Sequence, residues 1–337
     1  MLNSYSYNQS HLKCLVFWRK KGYICLSNMH FNCSFYLLFM ENIIMFKYKS
    51  LLAAMTLATL ITVGCNENTT DPTDTAPNAP TALMATSLGA SEIGLKWTVP
   101  TGTYTGYKLR MTATGIDTTF AISVAATNSF KVSGLTEGTK YTFALNSVNG
   151  TAVSGTAPSI TWSPATRFTK LEDGNDIRLY EYTSSKGSGL LLYNSLTGFP
   201  EVKSVASGSL WDFGISNKDM ADSLDGGSPG QLGLTINSPR ATLMGKIYKD
   251  VNSLDEIYET AELTASSEGY YTLPNVTTTG YGFVLKTADG HFAKVFIKSA
   301  LGKILQDTGT EQYVTVEVSY QKVAGVPFAE PNSSGGK

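Results

Sequence analysis

Few side chains in this 337-residue sequence have the types and spacing that catalysis or metal binding requires. Its four cysteines are Cys14, Cys25, Cys33 and Cys65, and none follows Cys65. A chain starting at Cys65 therefore has one thiol and no internal disulfide. His291 is the one histidine beyond that point, beside the turn-forming pair Asp289-Gly290. The sequence contains no HExxH or P-loop, so zincin and nucleotide chemistry have no motif to stand on. Asp219, Asp222 and Asp225 recur every third residue in DMADSLDGG. Calcium loops place their oxygens at alternate residues, so this segment is expected to be a solvated loop. No two carboxylates are paired by spacing as an acid and a base. The residues point to a protein without catalytic function.

Charge narrows the partners. The net charge of -1 conceals an uneven distribution. Residues 1–64 hold six of the 26 Lys and Arg and one of the 27 Asp and Glu, leaving 20 basic against 26 acidic residues from Cys65 onward. An acidic chain without a basic block does not bind nucleic acid by counterion release.

The stretch around Cys65 reads as a processing signal. Met45-Phe-Lys-Tyr-Lys49 is a basic n-region, and Ser50 to Val63 is an uncharged apolar run too short to span a bilayer comfortably. It ends in Thr62-Val63-Gly64-Cys65, which resembles the lipobox of bacterial lipoproteins. That resemblance implies a lipidated Cys65 as mature N-terminus, residues 45–64 as signal peptide, and a translation start at Met45, with Met40 as second choice. Residues 1–44, without a clear structural period, are then expected to be a mis-assigned upstream start. Residues 65–77 are a polar tether rich in Pro, Thr and Asp. Asn66 after the cysteine implies the outer membrane, at its periplasmic face or the cell surface.

The elements that must position any site are strands. Low charge with abundant Thr, Ser, Tyr and Gly gives an all-β expectation. Short alternating runs (IGLKW, YKLRMTA, FKVSGL, YTFALNSV) are separated by turn residues, as in a sandwich. Ile93, Leu95 and Trp97 share one face, as do Tyr141, Phe143 and Leu145. Pro77-Asn-Ala-Pro80, Leu95-Lys-Trp97, Thr105-Gly-Tyr107 and Leu135-Thr-Glu-Gly-Thr-Lys-Tyr141 resemble fibronectin type III over residues 78–164. The resemblance implies a tyrosine corner at Tyr141 and a module acting as spacer or binding platform.

Residues 167–325 are expected to form a second, β-rich ligand-binding domain. Its strand candidates are IRLYEY, GLLLYN, LWDFGIS, QLGLTIN, TLMGKIY, YGFVLK, HFAKVFIK and YVTVEVSYQ. One short helix is predicted from Ser253-Leu-Asp-Glu256, with Leu254, Ile257, Tyr258 and Ala261 on one face. Residues 326–337 are expected to be a disordered tail.

Trp211-Asp212-Phe213, Lys286-Thr-Ala-Asp-Gly290-His-Phe-Ala-Lys294 and the closing Tyr313 to Tyr320 resemble the HmuY-like haem-binding lipoproteins over residues 170–322. That resemblance implies haem capture and transfer to an outer-membrane receptor. Members of that family hold the iron through two side chains. Met220, Met244 and His291 are the soft donors here, and Tyr248, Tyr270, Tyr271 and Tyr281 are aromatics that could flank a porphyrin. The alternatives are a structural or adhesive lipoprotein that binds glycan or protein, and, last, a hydrolase accessory.

Overall fold

The computed structural model describes residues 74–123, 127–217, 222–259 and 270–328, and the backbone of 5–9, 12–19 and 22–26. Strands β1 (Tyr5–Gln9), β2 (Leu12–Arg19) and β3 (Gly22–Leu26) form an antiparallel meander. Structure thus occurs within 1–44, where the sequence suggested no period. Cys65, the signal segment, the tether up to residue 73 and Met220 lie outside the described residues.

The first sandwich contains β4 (Thr81–Gly89), β5 (Glu92–Thr98), β6 (Gly106–Ala113), β7 (Ile116–Ile122), β8 (Ser129–Ser133), β9 (Tyr141–Asn149), β10 (Ala152–Val153) and β11 (Ser159–Trp162). One sheet runs β4-β5-β8 and the other β10-β9-β6-β7, with β11 also on β9. The alternation seen in the sequence buries Ile93, Leu95 and Trp97 against Tyr107, Tyr141, Phe143 and Leu145. Trp97 and Tyr107 meet edge to face at 5.1 Å. Thr136 N–H donates to the Tyr141 hydroxyl oxygen at 3.0 Å, which closes the tyrosine corner.

The second sandwich follows. Its strands are β12 (Thr166–Phe168), β13 (Ile177–Tyr180), β14 (Gly189–Asn194), β15 (Phe199–Lys203), β16 (Phe213–Ser216), β17 (Ser223–Gly227), β18 (Leu243–Val251), β19 (Tyr270–Pro274), β20 (Gly280–Lys286), β21 (Phe292–Ile297), β22 (Gln306–Asp307) and β23 (Gln312–Tyr320). One sheet runs β12-β23-β21-β20-β18, with β13 and β22 also on β23, and the other runs β15-β14-β16-β17-β19. Leu190, Phe213, Ile215 and Leu273 of the second pack against Phe283, Val295, Val316 and Val318 of the first. The outer face of the larger sheet is covered in turn by Leu254, Ile257 and Phe328, which pack on Val284, Phe292 and Phe296. Strand β21 is therefore buried on both faces.

Four expectations change. The helix from Ser253 is a single 3-10 turn, Leu254–Glu256, because Ile257 turns extended and Glu259 pairs with Ala85 of the first sandwich. QLGLTIN keeps its alternation, with Leu232 buried, but forms no strand and includes Gly233 at φ +68°. Asp225 belongs to strand β17, not to a solvated loop, and accepts from the Thr272 hydroxyl at 2.7 Å. Within the segment expected to be a disordered tail, Val326 and Phe328 are buried, and residues 329–337 lie outside the described residues.

The two sandwiches are docked. Ala85 and Glu259 exchange backbone hydrogen bonds of 2.8 and 2.9 Å. Glu137 accepts from the Thr166 amide at 2.7 Å, and Gln321 donates to Pro164 O at 2.9 Å. A freely pivoting spacer would lack these bonds.

Candidate functional site

Of the three haem-ligand candidates, Met244 and His291 fall among the described residues, and they lie in different settings. Met244 is fully buried in the sandwich core, where its thioether reaches no ligand unless the sheets part. His291 lies just before β21, half-buried, with Thr287 N–H donating to its carbonyl at 2.8 Å across the expected hairpin turn. Gly290 takes φ +82° there, a conformation that favours glycine. Nδ1 of His291 lies 2.9 Å from Gln321 O, and the ring stacks on Tyr320 at 5.3 Å. Tyr320 in turn stacks on Tyr193 at 5.1 Å. Of the other aromatics, Tyr271 and Tyr281 donate their hydroxyls to Gly245 O and Pro274 O. Tyr248 donates to Tyr258 O, and Tyr270 is exposed at the start of β19. These are packing and cross-strand positions.

The recurrent motifs meet through a residue the sequence did not single out. Arg240 Nε donates to Asp212 at 2.7 Å and its Nη2 to Asp289 at 2.5 Å, joining the Trp-Asp segment to the Thr-Ala-Asp-Gly turn. Asp212 also accepts from Leu192 N–H at 3.3 Å. Burial pushes the Asp212 carboxyl up from its usual range, against the attraction of Arg240. Trp211 lies across the cross-strand pair Gly189 and Gly214, where a Cβ would come within 2.6 and 2.7 Å of the indole. The last motif residue, Lys294, is fully buried beneath the first sandwich. Its Nζ donates to Ile257 O at 2.7 Å and to the Thr86 hydroxyl at 3.1 Å. The rings of Phe328 and Trp162 stand 5.3 and 5.8 Å away. Burial pulls its pKa down to about 7 against the opposing pull of Glu259. All these contacts are architectural.

An open cleft of about 540 Å³ lies elsewhere, lined by Lys170, Asp173, Asp176, Arg178, Tyr180 and Lys186 among others. A second hollow of about 430 Å³ adjoins it, sharing Leu171, Asp173 and Val202 and adding Glu172, Asn194 and Glu201. The loop joining β12 to β13 forms the divide. It is held by Leu171 N–H to Asn175 O at 2.9 Å and Gly174 N–H to Leu171 O at 3.0 Å. Asn175 Nδ2 donates to Asp173 at 2.7 Å. Lys170 pairs with Asp176 at 2.6 Å, with Arg178 3.6 Å from the same carboxylate. The Lys170 hydrogen bond holds Asp176 below the usual carboxylate range, and the Asn175 bonds do the same for Asp173. Lys186 pairs with Glu311 at 2.6 Å and lies over Tyr180, while Arg178 lies over Tyr313. Sequence reading placed IRLYEY as a strand but gave its outward Arg178 and Tyr180 no role. The available signal was LEDGND, an acidic turn cluster beside that strand, preceded by Lys170.

Among the described residues, no group of three His, Cys, Asp or Glu side chains is placed to hold a metal ion. No helix among them is long and apolar enough to cross a membrane.

Comparison with known proteins agrees with the first sandwich. Residues 78–163 match the fibronectin type III domain family, so this chain carries such a domain. Similar solved structures include the fn3 domain of human collagen alpha-1(XX) chain, 18% identical, covering 31% of this chain and 92% of that one with a TM-score of 0.25. The fn3 domain of human contactin 1 is 16% identical, with 31% and 92% covered and a TM-score of 0.26. Domains d3–d4 of rat CD45 are 20% identical, with 27% and 51% covered and a TM-score of 0.24. No curated protein matches the chain. Fibronectin type III domains are typically non-catalytic scaffolds.

Proposed function

We propose that this is a lipid-anchored, non-enzymatic binding protein of the cell envelope, which holds its ligand in the cleft beside loop 170–176. The cleft carries the reading: its 540 Å³ fall within the ordinary range of small-ligand sites, and its charged walls neutralise one another before any ligand arrives. The fibronectin type III domain serves as a rigid mount, and the lipobox-like Gly64-Cys65 supplies the anchor. One observation favours a second reading, haem capture through His291, in keeping with the HmuY-like motifs. The backbone oxygen of Gln321 faces Nδ1, the arrangement that leaves the other ring nitrogen of a histidine as metal donor.

Both readings are tested on the full chain in detergent micelles. For binding, thermal shifts are measured with oligosaccharides, inorganic phosphate and haem. A shift lost in Asp176→Asn supports the cleft; no shift with any probe overturns it. A Soret band that saturates at one equivalent and is lost in His291→Ala would move the function to haem. The anchor predicts incorporation of labelled palmitate in cells, abolished by Cys65→Ala.

A further inference from the structure

We infer that the cleft beside loop 170–176 takes a neutral, hydroxyl-rich ligand, a hexose or pentose oligosaccharide chain, rather than an ion. This rests on the cleft being the binding site. The argument is the alternation of its walls. Lys170, Asp176 and Arg178 form a donor–acceptor–donor row, with contacts of 2.6 and 3.6 Å. Asn175 and Asp173 continue it on the loop, and Lys186 with Glu311 repeats it across Tyr180.

A sugar hydroxyl donates one hydrogen bond and accepts others, so it can complete both members of such a pair at once. A free anion would meet Asp173, Asp176 and Glu311, and a free cation would meet Lys170, Arg178 and Lys186, so either is disfavoured by like charge. Neutralised pairs also spare the ligand the expense of separating bare charges from water. The loop is fixed by its own bonds, so little ordering entropy is lost on binding. The adjoining hollow of about 430 Å³ extends the cleft past the loop and brings the polar side chains of Asn194, Thr197 and Glu201. An extended chain of several rings, not a single compact molecule, matches that outline.

Calorimetric titration of the full chain in micelles tests this with cellohexaose, mannohexaose and xylohexaose as neutral probes, and hexagalacturonate and inorganic phosphate as anionic ones. At least one neutral oligosaccharide is expected to bind, and to bind about tenfold more weakly to Asp176→Asn and to Arg178→Ala, each variant losing one charge-assisted hydrogen bond. Asn175→Ala, on the exposed loop, checks the result where Arg178→Ala perturbs folding. Neutral binding within twofold of wild type in all three variants would overturn the cleft itself. Binding of the anionic probes alone, weakened by Arg178→Ala, would leave the cleft standing and overturn the hydroxyl class. Failure of every neutral probe overturns this inference, and the thermal-shift panel then decides separately whether the cleft binds anything.

Discussion

Arg240 shows how a single side chain can hold two distant segments. It reaches Asp212, which has 2% of its side chain exposed, and Asp289, which is largely in solvent. The first pair carries the energetic weight, because the buried carboxylate has little water to fall back on. Arg240→Ala is expected to destabilise the protein by about 3–5 kcal/mol at neutral pH, the usual consequence of leaving one partner of a buried pair alone. The pH dependence has a definite sign. Burial raises the folded pKa of Asp212 above its unfolded value, and more so without Arg240. The penalty is therefore largest where the folded carboxyl is ionised, and it shrinks as pH falls and the folded protein takes up the proton. Urea unfolding of wild type and variant at pH 7 and pH 4.5 measures this. A difference independent of pH would show that Arg240 acts by packing alone.

At the scale of elements, one turn works against its own sequence. Ala300 and Lys303 exchange backbone hydrogen bonds across Leu301-Gly302, with φ of +55° and +78°. A two-residue hairpin of this kind favours Asn-Gly, and leucine is costly in the left-handed region. Leu301 is 97% exposed, so its side chain gains nothing from the core. Leu301→Asn is expected to stabilise the protein by about 0.5–1 kcal/mol, read as a raised midpoint in urea at unchanged slope. A lower midpoint would show that the leucine makes contacts the turn geometry does not reveal. The same contest between local pattern and tertiary context explains what the sequence disclosed. The first sandwich was legible almost strand by strand, because Ile93, Leu95 and Trp97 alternate with Gly94 and Lys96, and Tyr141 announces its corner. The helix after Ser253 was not, since pairing of Glu259 with Ala85 draws the chain extended after one turn. QLGLTIN misled for a different reason: alternation buries Leu232, but no neighbouring strand supplies a ladder. The cleft was illegible because it is assembled from a turn, a strand edge and a loop with no common period.

At the scale of the whole molecule, the junction between the sandwiches turns on Lys294. A signal for it existed in the sequence: FAKVFI is apolar on both faces of its strand, and Lys294 shares a face with Phe292 and Phe296. Nothing local could say that a second domain would cover that face and supply Thr86. Around the ammonium stand Glu259, bridged to Ala85, Arg167 from β12 and Asp255 from the 3-10 turn. Burial dominates and lowers the folded pKa to about 7, while the unfolded value is 10.5. Below about pH 7 both states hold the proton and the burial penalty is complete. Between about pH 7 and 10.5 the unfolded chain binds more protons than the folded one, so stability rises with pH across that window. Lys294→Met, of similar length but without charge, removes the slope. It also leaves Ile257 O without its donor. A loss of about 1–3 kcal/mol is therefore expected at pH 8, where the folded lysine is mostly neutral and the lost hydrogen bond decides. Urea unfolding at pH 6.5, 8 and 9.5 resolves both effects. A variant that keeps the wild-type slope would assign the titration to another group, and one as stable as wild type would show that apolar packing, not the lysine, holds the two domains together.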